Sequence, residues 1–273
     1  MRRLILFMLF LAAIAPTAAP AAEDLVRPEP RALLAEAFAA RYDCTLSGVV
    51  EIETRKRGIR AVGRTVHVAS KLIDDRLHTY ARFQGPPHLR GMAFLGIEAD
   101  DAESSDERFV YLPSLRRVRR VGGAHSSDSF LGTDLSYHDF ERQRATSFAV
   151  LLAGGETVGS EPAWRLTARP HRPADHDRVD YLVALHDAAI LSTHYYKRNE
   201  AEPYKSLQMP RAAMHGRGSC RIPGRVSVED RQRRTRTDLR VHALEVDAPF
   251  EDSLFTMTSL ETARRIPGMR RAR

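Results

Sequence analysis

The side chains best suited to chemistry are scattered and do not assemble into a reactive set. His171, His176 and Asp177 share one polar loop, and His125 and His138 flank a Gly/Ser-rich stretch. A zinc site needs three or four converging ligands, and these spacings match no familiar ligand pattern. Ser126, Ser127 and Ser129 lack the G-x-S-x-G turn that exposes a hydrolase nucleophile. Cys44 and Cys220 are far apart and form no C-x-x-C pair. The sequence therefore assigns no catalytic residue, metal or cofactor, and the expectation is a protein that is not an enzyme. What remains is recognition chemistry. Arg116, Arg117, Arg119 and Arg120 alternate about Val118, so a strand there projects guanidinium groups on both faces. Guanidinium pairs well with phosphate. A lipid headgroup or an acidic partner is one reading. A solvated ribbon answering the acidic loop at 100–107 is the other.

The second kind of candidate is apolar. Met92, Phe94, Tyr111, Phe130, Leu131 and Phe140 sit on or beside short, glycine-punctuated runs between 90 and 141. They line a lipid-sized pocket or they fill a core, and both readings stay open. Pockets for greasy ligands are mostly apolar with a few polar groups at the mouth.

The elements that must position these residues are mostly strands. After Pro28 and Pro30, the recurrence of Leu33, Leu34, Ala37 and Phe38 predicts a helix over 28–41. Alternating segments then predict strands over 46–54, 60–69, 76–83, 89–98, 108–112 and 116–121. Residues 136–142 read as one or two helical turns, with Asp134 and Ser136 as candidate N-caps. Strands follow over 147–152 and 157–168, divided at Gly154-Gly155, then over 178–186, 190–198, 204–209, 225–229 and 235–246. A closing segment spans 250–256, and 267–273 is a basic tail. About ten strands in series with few helices predict a mainly β fold. We expect a curved, half-open antiparallel barrel with one or two covering helices.

The chain has 273 residues and a formal net charge of +7. Arg2 and Arg3 precede a short apolar core at 4–14, and Ala19-Pro20-Ala21 fits the small-x-small cleavage pattern. The reading is a signal peptide over 1–22, then a single domain over 23–273, exported to the periplasm. Cleavage leaves 40 basic against 35 acidic residues. Such a balance suits anionic headgroups, and export argues against nucleic acid. In an oxidising compartment Cys44 and Cys220 are candidates for a disulfide, the alternative being two separately buried thiols.

Three strings carry a family resemblance: GMAFLGI at 91–97, FVYLPSLRRVRR at 109–120 and SFLGTDLSYHD at 129–139, supported by DSLFT at 252–256 and Leu260. Together they resemble the LolA-like outer membrane lipoprotein-sorting family, and more closely its branch associated with RND-type exporters. The resemblance implies an open, curved antiparallel sheet with helices over its concave face. It also implies a periplasmic carrier of lipid or lipoprotein acyl chains that works with an inner-membrane RND-type transporter, with peripheral membrane contact. The other reading on the same scaffold is a periplasmic sensor that regulates an envelope partner. His138 stands where such proteins often carry an acidic residue.

Overall fold

Alternating side chains give each strand one apolar and one polar face, and the chain stacks such strands side by side. The computed structural model describes residues 27–42, 44–56, 59–100, 104, 106–121, 129–262 and 264–267. The sheet strands are β1 (Leu46–Lys56), β2 (Ile59–Ile73), β3 (Arg76–Gly85), β4 (Ala93–Ile97), β5 (Glu107–Leu112), β6 (Arg117–Arg120), β7 (Phe148–Val158), β8 (Glu161–Pro170), β9 (Arg178–Ala184), β10 (Ile190–Tyr196) and β11 (Lys205–Gln208). A two-stranded arm, β12 (Met214–Arg217) and β13 (Cys220–Pro223), precedes β14 (Arg225–Asp230) and β15 (Thr235–Val246). The helices are α1 (Pro30–Ala39) and α2 (Met257–Glu261).

Among the described residues, thirteen strands form one sheet in the order β6-β5-β4-β3-β2-β1-β15-β14-β11-β10-β9-β8-β7. Every pairing is antiparallel. The chain therefore starts in the middle of the sheet and runs out to edge β6. It then crosses to the opposite edge β7 and returns to pair β15 with β1. Side chains from β5 at one side and β7 at the other belong to a single apolar cluster. That convergence makes this the inner face of a curved, half-open sheet, as expected from the sequence.

Several expectations need correction. The sheet has thirteen strands, more than the round figure of about ten, and they correspond one for one to the thirteen segments named from the sequence. The division placed at Gly154-Gly155 is a bulge inside one long strand: the β7–β8 register shifts between Leu152 and Gly154, and the chain turns later, at 159–160. Gly154 has φ +143°, a conformation a side chain would strain, so the glycine marks a kink and not a turn. The arm β12–β13 had no clear alternating signature.

Two covers complete the domain. The Glu29 carboxylate accepts from the Arg31 and Ala32 backbone N–H groups and caps α1, whose Leu34, Ala37 and Phe38 are buried on the inner face. The Phe38 ring meets Tyr181 edge-on at 5.3 Å. On the outer face, Phe250, Leu254, Phe255 and Leu260 of the C-terminal segment pack over Tyr80, Ala93 and Leu95. The Tyr80 hydroxyl donates to the Arg264 carbonyl at 2.9 Å.

Cys44 and Cys220 are bonded to each other, 176 residues apart in sequence, with Cα atoms 6.0 Å apart. The Arg221 N–H donates to the Ala40 carbonyl at 2.6 Å, so the arm is tied to the end of α1 beside the disulfide. A cross-link closing so long a loop restricts the unfolded chain strongly. The paired substitution Cys44→Ser, Cys220→Ser is expected to cost about 3–5 kcal/mol on the chain-entropy account. Urea unfolding with and without reductant measures it; an unchanged midpoint would remove the bridge from the stability of the fold.

Candidate functional site

The connection from β6 to β7 has to cross the open inner face, because those strands are the two edges of the sheet. Its described part, residues 129–147, is a strap of three short 3-10 turns: Phe130–Gly132, Tyr137–Phe140 and Ala145–Ser147. Residues 122–128, and with them His125, Ser126 and Ser127, lie outside the described residues.

The strap puts aromatic rings where a curved sheet has its deepest apolar surface. Phe130 is buried, with its ring centroid 4.9 Å from Phe140, 5.4 Å from Tyr137, 6.1 Å from Phe83 on β3 and 6.4 Å from Phe94 on β4. These separations are those of attractive tilted and edge-to-face pairs. Met92 and Phe130 belong to the inner cluster, and Phe94, Leu131 and Phe140 pack against it. Five of the six residues read as lining are thus gathered on one face. Tyr111 is not. Val110 and Leu112 of β5 turn inward, so Tyr111 between them points outward, against Phe109, Val118 and Met257 under the C-terminal cover. The two-residue period of a strand decides this, and it separates Tyr111 from Phe94 although both sit in adjacent strands.

Polar groups at the ends of the strands hold the strap. On β2, Arg64 donates to the Leu131 carbonyl at 2.6 Å. Asp134 accepts from the hydroxyls of Thr235 and Thr237 on β15, the latter at 2.8 Å, and its own N–H donates back to Thr237 at 3.0 Å. Of the two candidate N-caps, Ser136 is the one at the cap, and Asp134 is spent on the sheet instead. Asp139 accepts from the Ser136 N–H at 2.6 Å and hydroxyl at 2.9 Å, and forms an ion pair with Lys205 on β11. Glu141 pairs with Arg108 on β5, while His138 meets Glu141 at 2.8 Å. Where the strap leaves toward β7, Arg142 and Arg144 converge on buried Glu98 at 2.9 and 3.1 Å.

The Asp139–Lys205 pair is the most demanding of these. Their side chains are only 2% and 9% exposed. Burial alone would raise the Asp139 carboxyl, but the Lys205 ammonium and the Ser136 donors hold it below its ordinary value. Tyr195, whose hydroxyl lies 3.4 Å from Asp139, is held well above the usual phenol value by burial, with the same carboxylate adding to it. His176 packs edge-on to Tyr195 at 5.1 Å and lies 6.2 Å from His138. Burial, helped by His138, pushes His176 down to about 4. These groups border a polar cleft of 560 Å³ that also exposes Tyr204 and Arg233. Sequence reading missed this cluster. Its one local signal was the spacing Ser136-x-x-Asp139, which is that of a capping pair.

The arginine ribbon is placed on edge strand β6. Arg117 and Arg119 stand opposite Leu112 and Val110, on the inner side, while Arg120 stands opposite Phe109 on the outer side and pairs with Glu107 at 3.1 Å. Arg116 forms the preceding turn with φ +48°. All four are exposed.

Breaking the buried pair from one side leaves a charge without a partner. Asp139→Asn is expected to cost about 3–5 kcal/mol. Adding Lys205→Met should restore most of it, and chemical denaturation of the two variants checks this. A histidine held neutral in the fold takes up a proton on unfolding. Stability is therefore lost as pH falls from 6.5 toward 4, by up to roughly 3 kcal/mol from His176. His176→Gln is expected to flatten the fall of the melting midpoint across that window; an unaltered slope would assign the acid sensitivity elsewhere.

No curated protein matches the chain. Similar solved structures are a DUF1329 family protein from Desulfovibrio piger (21% identity, TM-score 0.75, 84% of this chain and 95% of that one) and a putative outer membrane lipoprotein-sorting protein domain from Vibrio parahaemolyticus (17%, 0.76, 85% and 98%). A LolA superfamily protein from Nitrosomonas europaea is a third (17%, 0.65, 86% and 100%). A family model described as "-like: Uncharacterized protein" matches residues 75–262, well over half of the sequence. The chain belongs to that family, and it shares its fold with those three structures, the LolA superfamily protein among them.

Proposed function

We propose that the protein is a periplasmic carrier that takes up a lipid or lipoprotein acyl chain on its inner face, in exchange for the aromatic strap. In this reading residues 1–22 are removed on export and the remainder is one lipid-binding domain. Met92 and Phe94 are the acyl contacts on the sheet, Phe130, Leu131 and Phe140 are the strap side chains whose place the acyl chain takes, and Arg117 and Arg119 stand at the lip for an anionic headgroup. An RND-type inner-membrane exporter is the donor or acceptor. Catalysis, cofactor and metal play no part in it.

The observation that carries the reading is how the strap is held. It covers the inner apolar cluster, yet residues 130–147 add no strand to the sheet and are fixed by side-chain latches. A covering built to be permanent would add a strand or a helix. Exchange is energetically balanced. Re-exposing Phe130, Leu135 and Phe140 costs roughly 5–9 kcal/mol at 1.5–3 per side chain. Burying a dozen methylenes returns roughly 10 kcal/mol, before the cost of association. A ligand held by so small a difference can be handed on.

Loading is expected to depend on the latch. Asp134→Ala removes the acceptor for Thr235 and Thr237, weakening the closed state by about 1–2 kcal/mol. Apparent affinity for a long-chain fluorescent fatty acid should then rise roughly 5–30-fold. Native mass spectrometry of the purified protein should also retain acyl lipid. No retained lipid, together with no probe binding by wild type or Asp134→Ala, would end the carrier reading.

A further inference from the structure

Antiparallel strands send alternate connections to opposite ends of a sheet. Four neighbouring connections, β1–β2, β3–β4, β5–β6 and β14–β15, lie at the same end, as the pairings Lys56↔Thr235, Thr65↔Gly85 and Leu112↔Arg117 require. Residues 56–62, 86–92, 113–117 and 231–234 contain no Asp or Glu and are rich in arginine. Of these cations, Arg231 pairs with Glu202 and Arg233 with Asp230. Arg90, Arg116, Arg117 and Arg234 have no acidic partner among the described residues. The connections at the opposite end of the same strands are acidic, with Asp74 and Asp75 between β2 and β3, and Glu98, Asp100 and Asp106 between β4 and β5. Asp75, Glu98, Asp100 and Asp106 are met there by Arg76, Arg108, Arg142 and Arg144, so what sets the first end apart is its cations without an acidic partner.

The same basic end carries unburied grease. Four large hydrophobic side chains are exposed among the described residues, and three of them are here: Ile59 at 59%, Val62 at 43% and Leu115 at 49%. Ile59 and Val62 lie on the β1–β2 hairpin, which extends beyond the last β2–β3 pair at Thr65, and Leu115 tops the β5–β6 turn. Cations in a ring with protruding aliphatic tips fit a surface that is anionic outside and hydrocarbon beneath. The strap latches from Arg64 to Leu131 and from Arg233 to Thr133 are at this end as well.

We propose that this end of the sheet docks on an anionic phospholipid bilayer, with Leu115, Ile59 and Val62 entering the headgroup layer. This rests on the carrier reading only for its purpose, since docking there would bring the strap to the membrane from which an acyl chain is taken. An acidic protein surface shares the charge but does not call for three aliphatic tips on separate turns.

The test is vesicle flotation of the full mature chain. Binding is expected to phosphatidylcholine vesicles that contain phosphatidylglycerol, and not to phosphatidylcholine alone, and to weaken steeply as salt shortens the screening length. The variant Arg90→Gln, Arg116→Gln, Arg234→Gln should bind roughly a hundredfold more weakly. Leu115→Ser should weaken binding at every salt concentration. These side chains are exposed and have no acidic partner among the described residues, so the fold is retained; the salt series on wild type stands as an independent arm. Failure of wild type to float with the anionic vesicles, equal flotation with neutral ones, or wild-type flotation of the triple variant would each overturn the proposal. Binding to polyglutamate without binding to vesicles would overturn it in favour of a protein partner. Fatty-acid loading in solution is measured on the same proteins, so that loss of docking with loading intact leaves the carrier reading standing, and loss of loading with docking intact does the reverse.

Discussion

A sheet that begins and ends at its own centre has both edges in the middle of the chain. Pairing β15 with β1 makes β6 and β7 the two edges, and β6 and β7 are consecutive in sequence. The segment joining them has no route but across the open face. The inner cluster, the polar latches and the proposed ligand exchange all follow from that one crossing. Its position is set by topology, and its chemistry is what the sequence was free to choose.

The choice made was aromatic rings for contact and ionic or hydroxyl groups for attachment. Apolar packing is non-directional and would let the strap slide. Buried hydrogen bonds and ion pairs are unforgiving about geometry, because an unmet charge in the interior is costly. Asp134 on β15, Asp139 on β11 and Glu141 on β5 therefore fix the register of the strap at three separate strands. Such pairs add little net stability over well-packed hydrocarbon, so a strap set in register by them need not be hard to lift. The same buried surroundings keep His176 neutral, which makes the attachment sensitive to acid.

Much of the architecture could be read from local pattern. The α1 helix, the strands β1 to β3 and β9 to β10, and the mainly β, half-open form all follow from periodicity. What failed was local too. Gly154-Gly155 reads as a break because glycine ends many strands, whereas β8 and β9 continue the ladder and carry β7 through with a bulge. The candidate site was half legible. Apolar residues between 90 and 140 pointed to the right region, and strand parity, had it been applied, would have set Tyr111 apart. The latches were not legible, because Lys205 and Thr237 lie 66 and 103 residues from the strap residues they hold. No spacing rule reaches that far; only the strand order brings them together.

Arginines without acidic partners and exposed aliphatic tips, gathered at one end of the strands, give the fold a direction that neither face alone provides. The strap is held at both ends of the sheet, but by different means. At the basic end the partners are backbone carbonyls and the Thr235 and Thr237 hydroxyls, met by Arg64 and Asp134. At the acidic end, Glu98 is locked between Arg142 and Arg144. Hydroxyl and carbonyl contacts give way at lower cost than a buried carboxylate held by two guanidinium groups. The strap is therefore expected to hinge at Glu98 and to open first beside Leu131, the end that the basic turns and their aliphatic tips surround. Hydrogen exchange along the strap reads this directly: faster exchange at 131–135 than at 142–147 is the expected order, and the reverse order would place the hinge at the basic end.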